Sequence, residues 1–264
     1  MQAEPSLPGV VASLRNSHDR LVSVLAALTG DQASGPSYAD EWTIAQVASH
    51  LGSGAEIYAW LLPAGLEQGD APGMEQIQPI WDSWNAKPPV QQVGDAVAAD
   101  AALLDQVDAL PPADRQRWRL ELFGAEQSLT GLMRMRLSEH AVHTWDIAVA
   151  LDPAAGVAAD AIALLVDTLP GLAGWTGKGA PEPTSFRIVT SDPEREFLLE
   201  LTGTGARLGP QGTAGTAGAA AVLQLPAEAL VRLIYGRLDP DHTPATVKAG
   251  DADLDLLRRS FPGF

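Results

Sequence analysis

Apolar side chains recur every three or four residues in the opening stretch of the chain. Leu7, Val11, Leu14, Leu21, Leu25 and Leu28 share one stripe, and His18 is its only polar member. That spacing predicts a helix, and Pro36 with its Gly, Ser and Asp neighbours predicts the loop that ends it. A second helix opens at Trp42-Thr43-Ile44-Ala45-Gln46, with Thr43 as the expected N-cap and Gln46 as its capping-box partner. Val47, His50, Gly54, Ile57 or Tyr58, and Leu61 mark its inward face, so His50 is expected to point into a bundle. Pro63 and the Gly- and Pro-containing stretch 65–89 predict a long connection with a short helix around 77–84. A third helix is expected over 93–110, closed by Pro111-Pro112, and a fourth over 128–151.

The fourth helix carries a polar line. Leu132, Arg136, Glu139, His143, Asp146 and Ala150 fall on one stripe, ordinarily the sign of a solvated face. Its flanks argue against that reading, with Leu129, Met133, Leu137, Ile147 and Leu151 on one side and Ala141, Val142, Trp145, Ala148 and Val149 on the other. A helix apolar on both flanks is buried on both, which places the polar line in a cavity. Charge there needs a partner, and a metal ion is one.

Asp152-Pro153 closes this helix and marks a boundary between domains 1–153 and 154–264. Beyond it a helix is expected over 157–172, and then the period changes from helical to alternating. Residues 185–190 and 196–201 read as a hairpin turning at Ser191-Asp192-Pro193. A strand over 220–225 follows, then Pro226 in the first turn of a helix over 227–235. A short strand at 247–249 and a last helix to Phe261, capped by Asp251 or Asp253, complete an α+β domain. The glycine-rich run from Gly209 and the triplet Gly177-Lys178-Gly179 lack the context of a phosphate loop and are expected as flexible loops, so no nucleotide site is expected.

Composition narrows the partners. Of 264 residues, 33 are acidic and 17 basic, and the net charge of -16 disfavours nucleic acid and anionic membranes, which need surplus Lys and Arg. No apolar run reaches membrane-spanning length, and the N-terminus has no basic cluster followed by an apolar stretch. Together with the absence of cysteine, this favours the cytoplasm. A small ligand is the expected partner.

The candidate chemistry lies in His50, Glu139 and His143. Glu139 and His143 are four apart on one helix and project from one face, so both can meet one ion. Two imidazoles and a carboxylate suit a catalytic zinc with an open coordination position, and also iron or nickel. Asp146, one turn on, is either the acceptor of the second N–H of His143 or an exposed carboxylate. His18 is either a core histidine or a functional one. His140 points about 100° away from Glu139 and reads as structural, and His242 reads as exposed. With no cysteine in the chain, a thiolate acting at the open position must come from a second molecule.

Two stretches, Trp42-Thr43 with His50-Leu51 and Arg136-x-x-Glu139-x-x-x-His143-x-x-Asp146, resemble the DinB-type four-helix metal-binding domain of mycothiol-dependent maleylpyruvate isomerases. Leu225-Pro226-Ala227, Leu233 to Leu238 and Ala249-Gly250-Asp251 are similar to the smaller α+β domain that follows in those proteins, which is related to sterol-carrier modules. The resemblance implies a four-helix bundle followed by that domain, with zinc held by His50, Glu139 and His143. Asp146, Arg136 and His18 would line or support the pocket. It further implies that mycothiol, a low-molecular-weight thiol of actinobacteria, binds the metal as thiolate. The thiolate then adds to the activated double bond of an electrophile such as maleylpyruvate and either leaves, giving isomerisation, or stays, giving S-transfer. Arg237, with Arg232 behind it, is implied to hold a substrate carboxylate, although Arg237 also reads as a cation at a helix C-terminus. Two alternatives stand beside this one: a non-catalytic ligand- or lipid-binding protein with a structural metal, and hydrolysis by a zinc-bound water.

Overall fold

The helical spacing of the first half becomes four long helices in the computed structural model, which describes residues 5–39, 41–67, 69–210 and 221–263. The chain divides into two compact units, Met1–Ala161 and Ile162–Phe264.

In the first unit the long helices are α1 (Leu7–Ala26), α3 (Ile44–Glu67), α5 (Pro89–Ala109) and α7 (Leu129–Leu151), joined by the shorter α2 (Gly30–Ala33), α4 (Met74–Asn85) and α6 (Pro112–Arg117). Leu21, Leu25, Ile44, Val47, Leu51 and Ile147 form a buried cluster between α1, α3 and α7. Burial of apolar side chains on the facing stripes is what holds such short-period helices together.

Helix α5 begins at Pro89, ahead of the expected 93, and the short α2 and α6 stand where no helix was expected. Two further features of this unit depart from the sequence expectation. Helix α3 does not stop at Pro63 but runs on to Glu67. Proline removes one helical hydrogen bond, and tertiary contacts offset that loss. The Trp118 indole N–H donates to the Leu62 carbonyl at 2.8 Å, and its ring lies so close to Gly65 that a Cβ there would stand 2.1 Å away. The second feature is an antiparallel hairpin, β1 (Arg119–Leu122) and β2 (Ala125–Ser128), where no strand was expected. Its two loop residues, Phe123 and Gly124, have φ of 54° and 76°, the left-handed pair that suits the twist of a tight hairpin.

Helix α8 (Ala159–Leu165) spans the boundary, and a 3-10 turn (Val166–Thr168) and α9 (Leu169–Thr176) follow, where one continuous helix was expected. Pro170 explains the break: its ring clashes with the carbonyl four residues back, so the chain restarts with proline in the first turn of α9. Strands β3 (Thr184–Ser191), β4 (Arg195–Leu201) and β5 (Ala206–Pro210) form an antiparallel meander, and β6 (Ala221–Pro226) pairs parallel with β3, giving the order β5-β4-β3-β6. Alternate residues face the core, Phe186 and Ile188 on β3 and Phe197, Leu199 and Leu201 on β4. Helices α10 (Ala227–Ile234) and α11 (Leu254–Ser260) complete the unit, with Asp253 capping α11.

Strand β5 was not anticipated, and in place of a strand at 247–249 there is one isolated bridge between Gln224 and Lys248. The Gly177-Lys178-Gly179 segment is seated rather than loose, since the Lys178 N–H donates to the Ser260 carbonyl at 2.7 Å. Positions 211–220, most of the glycine-rich run, lie outside the described residues. Among the described residues no helix is long and apolar enough to cross a membrane.

Candidate metal centre

Helix α3 starts where its capping box dictates. The Thr43 Oγ1 accepts from the Gln46 N–H at 3.2 Å, and the Gln46 Oε1 accepts from the Thr43 N–H at 2.8 Å. His50 follows two turns later. Helix α7 is capped by Ser128, whose Oγ accepts from the Gly131 N–H at 3.1 Å, and presents Glu139 and His143 one turn apart.

The two helices bring these three side chains together. His50 Nε2 lies 3.3 Å and His143 Nε2 3.6 Å from the same oxygen, Oε2 of Glu139. One ligand atom from each of the three residues lies within 4.8 Å of the others. A tetrahedral ion with bonds of about 2.1 Å holds its ligand atoms about 3.4 Å apart, so both carboxylate–imidazole spacings already match that geometry. Among the described residues no other set of three or more His, Cys, Asp or Glu converges this way.

Asp146 is buried, and its Oδ2 accepts from Nδ1 of His143 at 2.8 Å. That bond selects the tautomer in which Nε2 of His143 turns its lone pair toward Glu139. The side chains of His50 and Glu139 keep 32% and 33% of their surface exposed, so the cluster is open on one side rather than sealed. Trp42 borders it, stacked on His143 with ring centroids 6.3 Å apart and tilted against His50 at 5.3 Å.

Charge at His50 and Glu139 already suits a divalent cation, whereas at His143 a proton and a metal compete for the same ring. Burial lowers the His50 imidazole, which keeps it neutral. Burial also works to raise the Glu139 carboxyl, yet His143 and His50 hold it well below the usual carboxylate range. For His143, burial opposes the proton, but Asp146 and Glu139 together carry its pKa above the ordinary value. A neutral imidazole and an ionised carboxylate are forms that bind metal directly.

Arg136 and His18 do not join this cluster. They converge on Asp100 of α5, a residue the sequence analysis passed over. The Arg136 Nη2 donates to Asp100 Oδ1 at 2.8 Å, and His18 Nδ1 lies 2.9 Å from Asp100 Oδ2. His140 Nε2 is 3.1 Å from that second oxygen, while its Nδ1 lies 2.8 Å from Ser17 Oγ. A signal was present: Ala96, Leu103, Leu104 and Val107 bracket Asp100 on one apolar stripe of α5, as leucines bracket His18 on α1.

The remaining candidates lie in the second unit. Arg232 is buried, pairs with both carboxylate oxygens of Glu228 at 2.7 and 3.0 Å, and donates to the carbonyls of Arg237 and His242. Arg237 is buried too and donates to the Tyr235 carbonyl at 2.6 Å. His242, expected as exposed, is half-buried because Asp239 holds its Nδ1 at 2.8 Å.

Comparison with known proteins places this geometry in context. The family described as the mycothiol maleylpyruvate isomerase N-terminal domain matches residues 14–148, and its companion C-terminal domain matches residues 152–257. No curated protein matches the chain in sequence. Among solved structures, a mycothiol-dependent maleylpyruvate isomerase is similar in fold, with a TM-score of 0.69 at 12% identity over 96% of this chain and 98% of that one. A histidine-to-alanine mutant of a mycothiol-dependent maleylpyruvate isomerase gives a TM-score of 0.70 over the same coverage at 12% identity.

Proposed function

The chain belongs to the mycothiol maleylpyruvate isomerase family, and from that premise we propose that it is a metal-dependent, mycothiol-using isomerase or S-transferase acting on a small electrophile. The observation that carries the reading is the convergence of His50, Glu139 and His143, from two helices, to within 4.8 Å. Three protein ligands and an exposed side leave room for one more donor, the pattern of a catalytic rather than a structural site.

A divalent ion bound there, zinc by preference, would lower the pKa of an incoming thiol and so supply a thiolate near neutral pH. The protein's own contribution is to hold and orient. His50 and Glu139 face the open side, Asp146 fixes the ring of His143, and the Trp42 indole walls one flank. The chain has no cysteine, so the thiol comes from a second molecule, and the family points to mycothiol as that molecule.

For a substrate like maleylpyruvate, mycothiol held at the open side would supply the thiolate for reversible addition to the activated carbon–carbon double bond. That chemistry would allow rotation to the trans isomer, fumarylpyruvate, with the thiolate released. With an electrophile that retains the sulfur, the same addition is an S-transfer. Arg237, buried and donating to the Tyr235 carbonyl, is the candidate that the family resemblance offers for a substrate carboxylate.

The test is direct. Protein purified without chelators should hold about one zinc per chain, and His50→Ala or Glu139→Gln should lose it with the helical circular dichroism retained. Isomerisation or thiol consumption should require added mycothiol. Metal-free wild-type protein would remove the basis of the proposal, and turnover of an ester in a thiol-free assay would replace it with metal-assisted hydrolysis.

A further inference from the structure

We propose that Asp100 is a positioning residue for the metal centre, acting through Arg136 to set the spacing between α3, which carries His50, and α7, which carries Glu139 and His143. The inference rests on the metal-centre reading above and deepens it.

The connection is short. Arg136 precedes Glu139 by three residues on α7, and its Nη2 donates both to Asp100 Oδ1 at 2.8 Å and to the Leu51 carbonyl at 2.9 Å. Leu51 is the residue after His50. One nitrogen therefore ties α3 to α7 beside both ligand-bearing positions. Gly54 makes the passage possible, because a Cβ there would stand 2.8 Å from Arg136 Nη1.

Asp100 holds the guanidinium in that place. Both residues are buried, with side chains 2% and 1% exposed, and an interior cation without a counter-charge is strongly disfavoured. The second carboxylate oxygen is engaged as well, bonded to His18 Nδ1 at 2.9 Å with His140 Nε2 3.1 Å away, which favours one orientation of the carboxylate. Groups from α1, α3, α5 and α7 thus meet at one carboxylate or one bond removed from it. Burial works to raise the Asp100 carboxyl, but His140, His18 and Arg136 hold it well below the usual carboxylate range.

Such a network contributes little net stability beside a well-packed apolar core, but it imposes geometry. A metal site demands geometry, since its ligand atoms must be held to within about 0.5 Å. Without the Asp100 charge, Arg136 has no counter-ion at its buried position. Its hold on the Leu51 carbonyl then weakens, and His50 is free to drift from Glu139 and His143.

The experiment measures zinc affinity by competition with a chromophoric chelator, together with the visible absorption of the cobalt-substituted protein. It uses wild type, Asp100→Asn, Arg136→Lys, Trp118→Phe and His50→Ala. Asp100→Asn should weaken zinc binding by the folded protein about tenfold or more and alter the cobalt bands. Arg136→Lys keeps the charge but not the planar fork, and should do the same, which serves if Asp100→Asn does not fold. Trp118→Phe loses the bond to Leu62, about 18 Å along α3 from His50. It should lower the melting temperature without changing affinity or spectrum. Wild-type affinity and spectrum in folded Asp100→Asn or Arg136→Lys would overturn the inference alone. If wild type binds no zinc, or His50→Ala binds it as tightly as wild type does, the metal-centre reading fails and takes the inference with it.

Discussion

His143 depends on Asp146 for which of its nitrogens faces Glu139. In Asp146→Asn the amide oxygen can still accept from Nδ1, but the negative charge that makes the ring a stronger donor to a cation is gone. Zinc affinity should fall about 10- to 100-fold, read by chelator competition, with the helical content unchanged. An unchanged affinity would mean that Asp146 only packs. The sequence pointed to His50, Glu139 and His143 because residue type and helical spacing are local properties that can be read from a few letters. Asp100 escaped because an aspartate looks the same whether it meets solvent or an arginine 36 positions away. What distinguished it was the apolar stripe around it, a weaker signal than a pair of histidines.

Helix α1 meets helix α5 at the His18–Asp100 contact, and this joint has a pH signature. Hydrogen bonding to Asp100 raises the His18 pKa despite the opposing effect of burial. The stability it contributes is therefore fully present below about pH 6.5, the unfolded value, and is lost as pH rises through the raised folded value. Asp100 acts in the opposite sense, because its depressed folded pKa contributes stability above about pH 3.9 that disappears in strong acid. In chelator-treated protein, thermal melts of wild type should lose stability as pH rises past about 6.5 through both His18 and His143, and His18→Gln should make that limb shallower without abolishing it. Equal slopes in the two proteins would show that the joint does not titrate. Boundaries of the helices were legible where a cap set them, as Thr43 and Gln46 do for α3. They were misread at Pro63, where Trp118 from another segment carries the helix onward, and at Pro170, where proline restarts a helix instead of ending one.

Because the proposed ligands come from α3 and α7, metal binding couples to the stability of the whole first unit. Zinc at 100 times its dissociation constant should stabilise the native protein by about 2.7 kcal/mol, visible as a rise in melting temperature that chelator reverses. His50→Ala should show no such rise. The sequence by itself determined the four long helices, the β3–β4 hairpin and the helix after β6, the change from a helical to an α+β unit, and the residue types available for chemistry. Each of these follows from periods of 3.6 and 2 and from caps spanning three or four residues. Only the tertiary structure decided that β1 and β2 form a hairpin, that β6 returns beside β3, and that Arg136 and His18 turn to Asp100 rather than to the metal-ligand cluster. Those outcomes depend on which distant surfaces pack together, and the free energy of that packing resides in contacts that no single stretch of the chain contains.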